Sequence, residues 1–225
     1  MYRSLSIAFA FALIAGAPSI SESAPLDLTP AKTVSKPAMP VPPIDAQAVL
    51  TRANGYFNDG ATMIADFVQI GGDGRKSDGK LYVERPGRMR FEYAPPATLE
   101  VVADGTSVAV IDRKLHTQDL YFIGQTPLKF LLNDNVDLNR DTKVTNVSGD
   151  GAGGASIEIE DKSTFGGTSK LRLTFDLQPF TLRQWTVTDA QGYETVVSLS
   201  NIDLSTRPSD AYFKINTERM INSRK

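Results

Sequence analysis

The chain of 225 residues sets 24 Lys and Arg against 26 Asp and Glu, a net charge of −2, with no cysteine and one histidine. That near-neutral balance, without any basic run, leaves no footprint for nucleic acid or an anionic membrane surface. Missing cysteines exclude disulfides, thiol nucleophiles and thiolate metal sites, and a lone His116 excludes a multi-histidine centre, so no cofactor or metal is expected.

At the N-terminus, MYRSLSIAFAFALIAGA puts Arg3 before an apolar run from Leu5 to Ala15 and then small residues. This is the layout of a secretory signal peptide, and the run is too short to span a membrane. Residues 1–24 are assigned to it, with cleavage after Ala17, Ser21 or Ala24 all open. No cysteine follows the run, so the usual bacterial site of lipid attachment is missing. A secreted, cysteine-free chain points to a bacterial periplasm, where it would be soluble. Residues 25–43, rich in Pro, Ser, Thr and Lys, have almost nothing to bury and should form a disordered arm. The folded domain is placed at 44–217 and a C-terminal tail at 218–225.

Asp45 is a reasonable helix N-cap, and Ala46, Val49, Leu50, Ala53 and Phe57 then fall on one helical face. Gly55 weakens the last turn of that helix. From Thr62 the period switches to two. TMIADFVQI, GKLYVER, RMRFEYA, TLEVVAD, SVAVIDR and LHTQDLYF are short, β-rich and separated by Gly, Pro or Asp turns. TPLKFLLND breaks the pattern: Pro127 suits a first helical turn, and Leu128, Leu131 and Leu132 group on one side. Strands resume with TKVTNVSG, ASIEIED, SKLRLTFDL, TLRQWTVTD and YETVVSLSNIDLS. About eleven strands and two or three short helices make a mainly β chain, simplest as one large, strongly curved antiparallel sheet.

Three motifs fail on context. GDGAGG, Gly149 to Gly154, spells a dinucleotide fingerprint but is followed by the strand-like ASIEIED instead of a helix, which marks a hairpin loop. DLNRD, Asp137 to Asp141, resembles the start of a calcium loop, yet Thr142 replaces the turn glycine and Ser148 the bidentate glutamate. A solvated acidic loop fits it better. His116 has Ser107 and Asp112 nearby in sequence, but no nucleophile elbow accompanies them, and an ordinary strand side chain is expected.

Taken in order, RANGYFNDGATMIADFVQ, GKLYVERPGRMRFEY, EVVADGTSVAVID and TPLKFLL carry a resemblance. Phe67 and Gln69 end the first strand, followed by Gly79 and Leu81. Arg85-Pro86 precedes the aromatic Phe91 and Tyr93, then come Asp104-Gly105 and Thr126-Pro127 opening a leucine-rich helix. From about Ile44 to Asn216 the chain resembles the LolA family, periplasmic carriers of lipoproteins to the bacterial outer membrane. Family members usually carry an aromatic residue at the place of Met89, which here stays apolar and adaptable. The second half matches in strand pattern alone, and the proline-rich arm is additional.

The resemblance implies a half-open β-barrel with a lid of helices over a hydrophobic concave side that takes lipoprotein acyl chains. In the family, the arginine before the proline bonds to backbone carbonyls of the lid and holds it closed, which by position is Arg85; a solvated hairpin arginine is the alternative. Leu50, Leu128, Leu131 and Leu132 would belong to the lid helices. Loading by an inner-membrane ABC transporter, delivery to an outer-membrane acceptor lipoprotein and a monomeric state are implied in the same way, and no enzymatic activity is.

The residues fit this independently. Met89, Phe91 and Tyr93 share one strand face opposite Arg88, Arg90 and Glu92. Leu81 with Val83, Leu99 with Val101, and Leu171 with Leu173 and Phe175 segregate alike, giving an apolar wall that something must cover. A filled core and a lined acyl-chain cavity are both compatible with that pattern. So are a lipid- or glycolipid-binding or sensing protein of the same architecture and a secreted hydrolase on a β-scaffold.

Overall fold

The computed structural model describes residues 44–164 and 166–215. The assigned signal peptide, the arm and the C-terminal tail lie outside the described residues. Asp45 accepts the Ala48 N–H at 3.1 Å and opens helix α1 (Ala46–Asp59), which buries Val49, Leu50, Ala53 and Phe57. This is the face that the spacing predicts except for Ala46, which is exposed in the first turn, and the helix runs through Gly55 to Asp59.

Eleven strands follow among the described residues: β1 (Thr62–Ile70), β2 (Lys76–Glu84), β3 (Arg88–Tyr93), β4 (Leu99–Asp104), β5 (Ser107–Asp112), β6 (Thr117–Phe122), β7 (Lys143–Gly149), β8 (Gly154–Asp161), β9 (Ser169–Leu177), β10 (Phe180–Thr188) and β11 (Glu194–Asp203). They form one sheet in the order β6-β5-β4-β3-β2-β1-β11-β10-β9-β8-β7. Strands adjacent in sequence pair, except β6 and β7, and β1 also pairs with β11 through partners such as Phe67 with Leu199 and Gln69 with Val197. The sheet does not close, because β6 and β7 are its two edges. Residues 123–142 bridge those edges and carry α2 (Lys129–Leu132) and α3 (Leu138–Asp141).

The alternation read from the sequence sorts the sheet into two faces. The inner face carries Met63, Ala65 and Phe67 of β1, Leu81 and Val83 of β2, and Met89, Phe91 and Tyr93 of β3, all buried in one core with α1 and α2. Two strands keep an apolar inner face only by breaking period. In β10 the register shifts between Leu182 and Gln184, so Leu182 pairs with Phe175 and Trp185 with Leu173, and both side chains point inward. In β7 a shift between Val144 and Asn146 lets Val144 face Ile159 and Val147 face Ile157.

The outer face is charged but not bare. A short 3-10 turn, Asp210–Phe213, packs on β3 and β4 over Val102, with Phe213 itself buried. Tyr212 stacks on Tyr82 at 4.4 Å between ring centroids. Glu84 accepts from Arg88 at 2.6 Å and from Arg207 at 2.9 Å, tying this strap to the end of β2.

Three local expectations need correction. The helix expected to open at Pro127 is a single turn, Lys129–Leu132, and Leu128 stands before it at the N-cap without a side-chain capping bond. The Thr126 amide instead closes a turn onto the Ile123 carbonyl at 3.0 Å. The acidic DLNRD loop is the helical turn α3, because Asp137 caps it by accepting from Asn139 N and Arg140 N. His116 is exposed in the turn between β5 and β6 at φ 54°, not within a strand.

Candidate functional site

The Arg85-Pro86-Gly87 turn joins β2 to β3 and has work on both sides. Strand alternation puts Glu84 outside, against the strap, and the next residue inside. The Arg85 Nε–H donates to the Leu131 carbonyl at 2.7 Å, and its Nη1 donates to the Gly60 carbonyl just beyond α1. The Arg85 amide donates to the Ala61 carbonyl at 2.8 Å, and the Gly87 amide to the Leu132 carbonyl at 2.7 Å. One turn therefore occupies two carbonyls of α2 and two in the link that follows α1. Helices leave their last carbonyls unpaired, and a guanidinium, all donor and no acceptor, suits several at once.

Gly87 makes the approach possible. It sits at φ +77°, where a side chain is strained, and an added β-carbon would lie 2.6 Å from the Gly105 Cα of the β4–β5 turn. The two turns touch there, the Gly105 amide donating to the Gly87 carbonyl at 3.1 Å. Burial pulls the Arg85 guanidinium down from its usual value to about 10, with Tyr56 acting the other way, and it stays charged at neutral pH. The cation lies 5.6 Å from the centre of the Phe57 ring.

Beneath this contact the interior is filled with side chains. Phe57 of α1 meets Phe130 of α2 edge-on at 5.6 Å and Phe175 of β9 at 5.9 Å. Phe130 meets Trp185 at 6.0 Å, and Trp185 meets Phe91 at 6.3 Å. All ten residues read as the apolar wall (Leu81, Val83, Met89, Phe91, Tyr93, Leu99, Val101, Leu171, Leu173 and Phe175) belong to this one core. Leu50, Leu128, Leu131 and Leu132 join it from the covering side. Sequence reasoning did not place Phe130, Trp185, Val197 or Leu199 in the wall. For Trp185 the signal is masked, because it stands three positions after Leu182 instead of two.

Two polar ties complete the cover. Lys129 of α2 reaches Asp161 at the end of β8 at 2.9 Å and the Ser163 hydroxyl at 2.8 Å. Asn58 of α1 exchanges two bonds with Val136, donating to its carbonyl at 2.9 Å and accepting its amide at 2.7 Å. Toward the end of the sheet where β10 turns into β11, a small pocket of about 20 Å³ remains beside Leu128 and Trp185, room for roughly one water.

Two of the stretches set aside in the sequence have structural duties here. Asp112 spends its carboxylate on the Lys114 and Leu115 amides and the Thr98 hydroxyl. GDGAGG is the β7–β8 hairpin, with Asp150 accepting from Ala152 and Gly154 amides. No group of three or more His, Cys, Asp and Glu fit to hold a metal occurs among the described residues.

The structure is thus an unclosed antiparallel sheet, apolar inside and covered by helices whose ties include Arg85, Lys129 and Asn58. A family model described as outer membrane lipoprotein carrier protein LolA matches residues 59–216, and the chain belongs to that family. The outer-membrane lipoprotein carrier protein of Dechloromonas aromatica (strain RCB) is 28% identical over 193 residues, covering 81% of this chain and 91% of that protein. Its namesake in Leptothrix cholodnii is 28% identical over 195 residues, covering 75% and 88%. A crystal structure of a LolA superfamily protein from Nitrosomonas europaea overlays 76% of this chain and 99% of that one, with 11% identity and a TM-score of 0.42.

Proposed function

We propose that the protein is a periplasmic carrier that takes acylated lipoproteins from the inner membrane and delivers them to the outer membrane, holding their acyl chains inside the sheet. The observation that carries this reading is the way the apolar interior is covered. The cover is anchored by the Arg85 side chain on the Leu131 and Gly60 carbonyls, polar contacts that can be undone without dismantling the sheet. Residues 1–24 act as the signal peptide and 44–217 as the carrier domain.

Energetics require such a cover to move. Each buried methylene is worth roughly 0.8 kcal/mol, so three long acyl chains represent roughly 30–40 kcal/mol against water. A pocket that holds about one water cannot take even one chain. Loading must therefore push Phe130, Leu131 and Leu132 aside, and Arg85 must let go as they leave. Arg85 acts as the latch, and the ten wall residues take over contact with the chains. Release from an inner-membrane ABC transporter and capture by an outer-membrane acceptor lipoprotein supply the two ends of the journey.

The test uses spheroplasts that retain newly made lipoproteins on the inner membrane. Purified mature protein is added, and the supernatant is assayed for acylated lipoprotein in a soluble complex with it. The complex is expected. Lipoproteins that stay on the membrane while the protein extracts another lipid would overturn the cargo and favour a lipid- or glycolipid-binding role on the same scaffold.

A further inference from the structure

The small pocket at the sheet's end has one feature that packing does not explain. Its walls combine the apolar Phe91, Leu128, Trp185 and Val197 with the polar Gln69, Tyr193 and Thr195, and Asp189 also lines it. Asp189 follows β10 and builds the turn into β11. Its Oδ1 accepts from the Gln191 and Tyr193 amides, each at 2.9 Å, and its own amide donates to the Tyr193 carbonyl at 3.0 Å. That turn needs one side-chain oxygen, which an asparagine would supply equally well. The second oxygen, Oδ2, is buried and has no hydrogen-bond partner among the described residues.

Nearby protein donors do not serve it. The Tyr93 hydroxyl, reaching the same end of the wall, donates to the buried Gln69 Oε1 at 2.8 Å. A buried carboxylate oxygen without a donor is destabilising. The turn fixes the oxygen in place, so its donor comes from what occupies the pocket, a water when the cover is closed and cargo once it lifts. Pro127 and Leu128 lead into α2 and line the same pocket, so a cover that lifts for acyl chains enlarges the space beside Asp189.

We propose that Asp189 accepts an N–H from bound cargo, namely the amide that joins an acyl chain to a peptide. This rests on the carrier reading and sharpens it. Apolar walls on one side suit the first carbons of a chain, and the hairpin on the other suits a departing peptide. An ester in the same place offers no proton and leaves Oδ2 unpaired, so Asp189 selects amide-linked acyl peptides over ester-linked lipids.

Two probes test it: an N-palmitoyl hexapeptide, and its counterpart with an ester oxygen in place of the palmitoyl amide N–H. Both are titrated against the full mature protein and against Asp189→Asn, which keeps the turn acceptor but sets an NH2 where Oδ2 stood. Urea unfolding of the variant confirms that the turn survives. The wild type should bind the amide about tenfold or more tightly than the ester, the range of a hydrogen bond to a charged group. In Asp189→Asn the two should bind within about twofold of each other. Equal binding of both probes by the wild type, or a preference that survives in the variant, overturns the assignment while leaving the carrier reading intact. Failure of the wild type to bind either probe overturns the carrier reading and this one with it.

Discussion

The two helical covers of the interior are held by different physics. Helix α1 is 14 residues long with a side-chain N-cap, and it buries a continuous apolar stripe ending in Phe57. Arg52 adds a tie to the Leu177 carbonyl at 2.8 Å and lies 4.4 Å from the centre of the Phe180 ring. Helix α2 is one turn of four residues with no side-chain cap, too short to be stable on its own. Its position depends on Arg85, on the Gly87 amide and on Lys129. Packing along a long stripe holds the first cover, whereas the second has only Phe130, Leu131 and Leu132 to bury and leans more on a handful of polar contacts. Opening should therefore begin at residues 123–142 and leave α1 and the sheet largely in place.

The comparison breaks most visibly at Phe57. Phe57→Ala removes a fully buried ring shared by both covers and should cost about 3–5 kcal/mol of global stability, read by urea unfolding. A loss below about 1 kcal/mol would mean that α1 is not the rigid partner. Arg85→Leu comes next. It strips two carbonyls of their donor and also removes a buried charge, so global stability should fall by only about 1–2 kcal/mol. Amide hydrogen exchange at Leu131 and Leu132 should rise at least tenfold while that of α1 changes little, and cargo release should slow. Unchanged exchange and transfer in that variant would count heavily against the latch.

Lys129→Ala is the smallest and the most local of the three. Asp161 is nearly buried and would keep only the Ser163 donors, at a cost of about 1 kcal/mol or somewhat more. Exchange should increase at α2, with no change at the Asn58–Val136 contact. If all three variants raise exchange equally in α1 and α2, the two covers move as one body and the contrast drawn between them fails.

How far the sequence foretold this depended on periodicity. Leu81, Val83, Met89, Phe91 and Tyr93 could be assigned to one face because nothing interrupts alternation in β2 and β3. Leu182 and Trp185 could not, since the extra residue of a β-bulge is invisible in composition and shifts the inward set by one. The length of α2 was overestimated because grouped leucines signal a helical face but not where capping stops. Arg85 is harder still. Its charge and its place after a strand suit a solvated hairpin equally well, and the resemblance, not the spacing, singled it out. Asp189 left no signal, because a turn-forming aspartate and one with a spare oxygen read alike.

The free edges of the sheet have a consequence for capacity. A closed barrel has a girth fixed by its strand number and stagger. Here the ladder stops at β6 and β7, so the wall can spread by parting those edges without breaking a single strand-to-strand bond. The stiffness that resists spreading comes from residues 123–142, the same segment that covers the interior. In the proposed carrier, that arrangement would let the interior's volume follow the girth of each load.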